Sequence, residues 1–290
     1  MRTVRHEVTE AENGRTVRSI LRGPMAFSTR ELDRLKGLFM IRLNGDVVRV
    51  NVKVKPGDVV SADLIEDEHQ ALQLDPTPLN IVYEDEDLMV IDKPAPLASQ
   101  VSPNDDQHTL ANRVAYYFRD QGNFVYRVVN RLDKGTSGLM IVAKNAYMHN
   151  LLRQQLHTEA FVRRYQAVVE GRMQGEGTID LPIRRVQAAT IRRSVDPEGK
   201  RAVTHYRVLK SGERASCVEL TLETGRTHQI RVHLSHLGHP LVGDFLYGTE
   251  DDRIPRRFAL HASFVALKHP VTGVWMTFES ALPGELKALL

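Results

Sequence analysis

The 290-residue chain predicts an α+β fold: a mostly antiparallel, mixed β-sheet flanked by helices and loops, with a smaller α+β unit ahead of it. Three observations predict it. Beyond residue 80, short runs of β-branched and apolar residues recur with only two or three helical stretches among them, so the strand-helix alternation of a doubly wound fold is missing. An acidic stretch containing Asp75-Pro76-Thr77-Pro78 breaks helix and strand propensity alike and separates that region from the chain before it. The first 67 residues carry helix and hairpin signals of their own. With 42% hydrophobic and 26% charged residues, the chain is long enough to bury real cores.

In the first unit, Val17, Ile20 and Leu21 share one helical face. Ser28-Thr29-Arg30-Glu31 fits a capping box, Leu32 and Leu35 supply the apolar side of a second helix, and Gly37 is its expected stop. Phe39 to Leu43, the turn Asn44-Gly45 and Val47 to Val50 predict a hairpin, because Asn-Gly readily takes the positive φ angles of a tight turn. Lys55-Pro56-Gly57-Asp58 then turns the chain into a strand over Val59 to Leu64. The order of Arg34-Leu35, Leu43-Asn44-Gly45 and Val54 to Val60 resembles the small RNA-binding domain first described in a ribosomal protein, the S-four or alpha-L type, although its usual start differs here. The resemblance implies RNA contacts from Arg18 and Arg34.

The organisation expected is therefore residues 1–67 as the small unit, 68–80 as an acidic linker and 81–290 as the larger domain. Within the latter, strands are expected over Leu88 to Ile91, Leu139 to Ala143, Tyr165 to Val169, Ala202 to Val208 and Cys217 to Leu222. Helices are expected over Leu110 to Arg119 and Asn145 to His157.

The net charge of +3 conceals blocks. Gly14 to Lys55 holds 10 Lys/Arg against 3 Asp/Glu, Arg184 to Arg214 holds 9 against 3, and Asp63 to Asp87 holds 9 acidic residues and no Lys or Arg. Either basic block alone fits a solvated face; two of them favour a polyanionic partner. The one cysteine, Cys217, excludes an internal disulfide and a thiolate cluster. No apolar run approaches a membrane span and no signal-like core opens the chain, so a soluble, cytoplasmic protein is expected, with monomer as the default state.

Three runs carry candidate chemistry. Val129 to Lys144 is a polar loop feeding an apolar strand, with Gly135 and Gly138 read as permitting tight turns and Asp133 set between Arg131 and Lys134. An acid so placed serves as nucleophile, as base or as half of a salt bridge, and local sequence leaves these open. Thr224 to Leu234 alternates polar and apolar residues, so a strand face or groove edge would present Arg226, His228 and Arg231 to an anion. Its neighbourhood holds four histidines within twelve residues (His228, His233, His236, His239), but no Cys or carboxylate completes a recognised zinc spacing. Arg163-Arg164-Tyr165 sets two cations beside an aromatic ring at a strand start; alone it reads equally as an edge strand with a core tyrosine.

The successive runs RLDKGTSGLMIVAKN, RRYQAVVEG, GRTHQIRVHLSHLGHPLVGDFLYG and LHASFVALKHPVTG, preceded by IVYEDEDLMVIDKPAPL, resemble in order the motifs of the Rlu group of bacterial ribosomal RNA pseudouridine synthases. The resemblance implies isomerisation of uridine within RNA, most naturally large-subunit (23S) ribosomal RNA, after the nucleotide is flipped from its stack, with no metal and no cofactor. By position it makes Asp133 the essential aspartate, Tyr165 a catalytic ring that packs on uracil and assists proton removal at the ring carbon, Arg226 the basic partner of the aspartate and Arg131 the side chain that fills the gap left by the flipped base. Leu132 and Ile230 become apolar pocket walls, and Arg163, Arg164, His228 and Arg231 RNA contacts. Two departures stand out: Asn130 where the family pattern has histidine, and the segment Ala95 to Gln100. Rival readings are a non-catalytic RNA-binding or ribosome-assembly protein, a transfer RNA pseudouridine synthase and a zinc hydrolase built on the histidines.

Overall fold

The computed structural model of the chain describes residues 2–64, 70–103, 105–122, 124–156, 158–187 and 190–290. A small sheet comes first. β1 (Arg2–Glu7), β4 (Val59–Leu64), β2 (Ile41–Leu43) and β3 (Asp46–Val47) lie in that spatial order, all antiparallel. Helices α1 (Val17–Arg22) and α2 (Thr29–Gly37) cover it. Val17, Ile20, Leu21, Leu32 and Leu35 point into one buried cluster with Ile41, Val60 and Ala62, as their helical spacing requires. The capping box forms: Ser28 Oγ accepts Glu31 N–H, and Glu31 Oε2 accepts Ser28 N–H at 2.8 Å. Asn44 and Gly45 take φ of 52° and 97°, the turn expected. The left-handed residue after α2 is Phe39 (φ 56°), two positions beyond the expected stop at Gly37. β1 escapes sequence reading because its alternating, half-exposed pattern is built mostly from charged and polar residues.

The larger sheet runs β10 (Glu176–Asp180), β13 (Val203–Lys210), β14 (Ala215–Leu222), β9 (Phe161–Glu170), β15 (Leu260–Lys268), β8 (Ser137–Ala143), β6 (Leu88–Lys93) and β5 (Ile81–Glu84). β7 (Arg127–Val128) adds to β8, and β16 (Trp275–Glu279) adds to β15. Among the described residues only the short β15–β8 strand pairing is parallel, so the sheet is mixed and mostly antiparallel. All five expected strands are present. β11 (Ile183–Arg185) and β12 (Arg193–Val195) form a separate hairpin.

The apolar runs of β6 and β8 are continuous because both faces are covered. Met89, Ile91, Met140 and Val142 enter a cluster with α3 (Leu110–Tyr117) and Tyr165, while Leu88, Val90, Leu139 and Ile141 meet Met148 and Leu152 of α4 (Ala146–Gln155). α4 also touches the small unit: Tyr147 donates to Met25 O at 2.8 Å and its ring lies 4.4 Å from Phe27. Its expected end, His157, lies outside the described residues. α6 (Gly284–Lys287) closes the chain.

The described part of the predicted linker is no loose tether. Buried Asp75 accepts Thr77 N–H and Oγ1–H and faces Arg113 at 3.4 Å, while Asn112 of α3 donates to Gln73 O. Residues 68 and 69 lie outside the described chain. Among the described residues, no helix is long and apolar enough to cross a membrane.

Candidate active site

Asp133 stands on the loop that leads into β8, and neighbouring side chains fix that loop independently of its carboxylate. Buried Asn130 donates to Leu139 O (3.2 Å) and accepts Ile141 N–H (2.8 Å), so one amide imitates the two-way pairing of a strand neighbour. This is how the chain accommodates Asn where the related pattern has histidine. Ser99 Oγ donates to Leu132 O (2.6 Å) and accepts Leu132 N–H (3.3 Å), and Leu97 N–H reaches Lys134 O (2.9 Å). The divergent Ala95 to Gln100 segment thus cradles the aspartate loop. Gly135 and Gly138 matter for close approach. A Cβ at Gly135 would sit 2.7 Å from the Phe258 ring, and at Gly138 (φ 109°) 2.3 Å from Ala262 O.

Beneath this cradle lies Lys93, wholly buried, whose Nζ donates to Pro94 O (2.9 Å) and Leu97 O (2.7 Å). Burial, aided by the Arg257 charge, pushes its amine down to about 7. Between that value and the ordinary lysine range the unfolded chain holds a proton that the folded chain lacks, so stability rises with pH. Raising pH from about 7 to 9.5 is expected to stabilise the wild type by about 3 kcal/mol relative to Lys93→Met, read from urea midpoints at both pH values. Parallel midpoints would show that the buried amine titrates normally.

The cation facing Asp133 is Arg231, on α5 (Gln229–His236). Its Nη1 lies 3.6 Å from Asp133 Oδ2, while Nε and Nη2 hold both oxygens of Asp244 at 2.7 Å. Burial opposes the guanidinium charge, but the bidentate bond to Asp244 outweighs it and pushes Arg231 upward. The guanidinium carbon lies 4.1 Å from the Phe258 ring centroid, 5.0 Å from Tyr247 and 5.8 Å from Phe245. Such a caged, doubly bonded arginine is a fixed positive charge under the carboxylate.

His228 completes the set. It takes left-handed φ (59°) immediately before α5, and its Nε2 lies 4.0 Å from Asp133 Oδ2. Burial pushes its imidazole below the usual range, with Asp133 opposing. Tyr247 Oη accepts Arg193 N–H and lies 2.9 Å from His228 Nδ1.

Leu132, Asp133, Thr136, Tyr165, Leu222, Ile230 and Leu260 line one cleft, with Arg131, Arg226 and His228 also on it. The cleft is shallow and open, with about 70 Å³ of space for water-sized molecules. Burial pushes the Tyr165 phenol upward, so near neutral pH the ring is uncharged.

Several expected contacts fall elsewhere. Arg226 is exposed and its Nε donates to Arg201 O (2.9 Å), so Arg231, not Arg226, meets the aspartate. Arg231 is 3% exposed, which also removes it from the RNA-facing surface expected for it. The cause is a helix where alternation predicts a strand: residues Gln229 to Leu234 are all buried, so no amphipathic period marks α5. Buried Gln229 fixes the preceding turn by accepting Thr224 Oγ1–H and Arg226 N–H. Strand alternation splits Arg163 from Arg164: Arg163 shares the buried face of Tyr165, whereas Arg164 lies on the other face, 3.9 Å from the Phe264 ring centroid and 3.8 Å from Glu219. Arg131 is exposed at the cleft mouth, 3.4 Å from Gln100 Oε1. Arg18 is exposed on α1; Arg34 lines a separate cleft with Arg30, Arg127, His149 and Arg153. Sequence reading missed Asp244, Tyr247, Phe258 and Gln229, whose only signal is residue type.

The four histidines diverge. His233 meets Thr204 Oγ1 and Leu181 O, His239 meets Glu170 O, and His236 is exposed. Among the described residues, one group has metal-ligand spacing: Asp85, Asp87 and His269. There Arg2 already pairs with Asp87, and His269 Nδ1 accepts N–H groups of Val271 and Thr272, which assigns the neutral ring's proton to Nε2. The group reads as a charge clamp.

A carboxylate on a tyrosine-walled cleft, backed by a buried cation, makes this cleft the candidate active site. RNA pseudouridylate synthase is the family whose profile matches residues 87–236. The chain is 40% identical over 286 residues to YhcT of Bacillus subtilis strain 168, an uncharacterized RNA pseudouridine synthase, covering 97% of this chain and 94% of that one. It is 45% identical over 227 residues to ribosomal large subunit pseudouridine synthase D of Pseudomonas aeruginosa, covering 73% and 71%. Human RNA pseudouridylate synthase domain containing 1 superposes with a TM-score of 0.61 at 27% identity, covering 74% of this chain and 89% of that one. The chain belongs to the RNA pseudouridylate synthase family, isomerases acting on RNA.

Proposed function

We propose that this enzyme converts specific uridines of large-subunit ribosomal RNA to pseudouridine, with Asp133 as its catalytic carboxylate. The observation that carries the reading is the Asp133–Arg231 approach at the mouth of the cleft that Tyr165 walls. In the reaction the glycosidic carbon-nitrogen bond breaks, the uracil turns, and a carbon-carbon bond forms to the same sugar, the ring carbon then losing its proton and the freed ring nitrogen gaining one. Asp133 acts on the extruded nucleoside, either as nucleophile or as the base that begins elimination. Arg231 and His228 hold the acid's setting, and Leu132, Ile230 and Tyr165 enclose the uracil. Tyr165, whose phenol burial pushes further above the usual tyrosine range, packs on the uracil. Arg131, exposed at the mouth, enters the gap in the RNA stack.

The approach to the cleft is basic. Arg226 also borders a groove with Arg184, Arg185, Arg193 and Lys200, suited to backbone phosphates. In this reading residues 1–67 form the RNA-binding unit and 81–290 the catalytic domain, acting in the cytoplasm as a monomer without metal or cofactor. Large-subunit RNA from a strain lacking the gene, incubated with the enzyme and mapped by carbodiimide-dependent reverse-transcription stops, is expected to gain discrete stops. No new stop in any ribosomal RNA would exclude this substrate. Separately, Arg18→Gln with Arg34→Gln is expected to lower the slope of log affinity against log salt by about 1.4 on single-stranded RNA. An unchanged slope would remove both arginines from phosphate contact.

A further inference from the structure

Of the exposed aromatic rings Phe39, Tyr117, Phe245 and Trp275, only Phe245 packs against a site residue in the described contacts. It follows Asp244, whose carboxylate holds Arg231 and also accepts the N–H groups of Leu246 (3.0 Å) and Tyr247 (3.2 Å), while Gly248 N–H returns to Asp244 O (2.8 Å). The turn presenting Phe245 is thus pinned by the same carboxylate that positions the cation facing Asp133. The ring is nonetheless 53% exposed.

Caging Arg231 does not account for that exposure. The guanidinium is already covered by Phe258 at 4.1 Å and Tyr247 at 5.0 Å, and Phe245 stands at 5.8 Å, the outer limit of a cation-π contact. About half of the Phe245 surface is left to solvent beside the cation that faces Asp133. The ring and Asp133 contact the same guanidinium, so they lie within one or two nucleotide lengths of each other. Flipping a uridine strips a stacking partner from the bases on either side of it, and an open base face is the ligand that an open phenyl ring fits.

We propose that Phe245 is a stacking platform for a nucleobase flanking the target uridine, and so helps set which sequence context the enzyme accepts. The inference rests on the reading of the cleft as a uridine site. It is tested with the full-length chain and RNA stem-loops whose loop uridine is flanked in turn by each of the four bases or by an abasic nucleotide on either side. Dissociation constants are measured alongside pseudouridine yield. Phe245→Leu, which keeps an apolar cover without a ring, is expected to weaken binding about 5- to 100-fold where both flanks carry bases. Phe245→Tyr restores it. On RNA abasic at the stacked flank, Leu variant and wild type are expected to bind alike. A penalty of the same size on both abasic RNAs, or no penalty on intact RNA, overturns the proposal. Absence of pseudouridine from every wild-type reaction overturns the uridine-site reading instead, while the dissociation constants still decide the stacking.

Discussion

Asp133→Asn is expected to leave the protein folded and bound to RNA while lowering pseudouridine formation at least about a thousandfold. The loop supports this separation of binding from chemistry. Its contacts with Asn130, Ser99 and Leu97 run through other side chains and backbone groups, and Thr136 N–H bonds the Asp133 backbone oxygen, not its carboxylate. Arg231 keeps both oxygens of Asp244 whatever stands at position 133. Amide for carboxylate therefore removes a charge and an attacking oxygen while changing almost no volume. Asp133→Glu keeps the charge but pushes it outward by a methylene, and misplacement on this scale is expected to cost about a hundredfold. Release of tritium from the 5-carbon of labelled uridine under single-turnover conditions measures both variants. An Asn variant working at the wild-type rate would end the assignment of Asp133.

The sequence made the scaffold legible where a period was present and lost it where burial erased the period. Strands β6, β8, β9, β13 and β14 announce themselves through runs of β-branched and apolar residues, and α2 through its capping box. β15 is just as buried yet carries His261 and Ser263, whose partners are distant: His261 meets Ser137 and Ser280 O. The same effect governs the site. Asp133, Leu132, Tyr165 and Ile230 converge on one cleft, as motif order implies. The arginine partner does not follow from motif order, because helix α5 begins at Gln229 and turns Arg231 inward, leaving Arg226 at the surface. Asp244 gave no signal, since nothing in a sequence marks which carboxylate will meet a buried guanidinium thirteen residues away.

That hidden pair supports the second large effect. Asp244→Ala strands the Arg231 guanidinium, 3% exposed, without its bidentate acceptor, and is expected to destabilise the fold by about 3–5 kcal/mol. Arg231→Met leaves Asp244 buried with only backbone donors, and a comparable loss of stability is expected. Replacing both partners, Arg231→Met with Asp244→Leu, removes the two buried charges together and should return stability close to the wild type. Activity should not return with it. The double variant lacks the fixed cation 3.6 Å from Asp133, and loss of one preorganised charge at a reacting centre is expected to cost about a hundred- to a thousandfold in rate. Urea unfolding and single-turnover tritium release, measured on all four proteins, separate the two roles. A refolded double variant that still works at the wild-type rate would make Arg231 a structural residue, and the charge on which Asp133 depends would have to be sought in His228 or in the RNA itself.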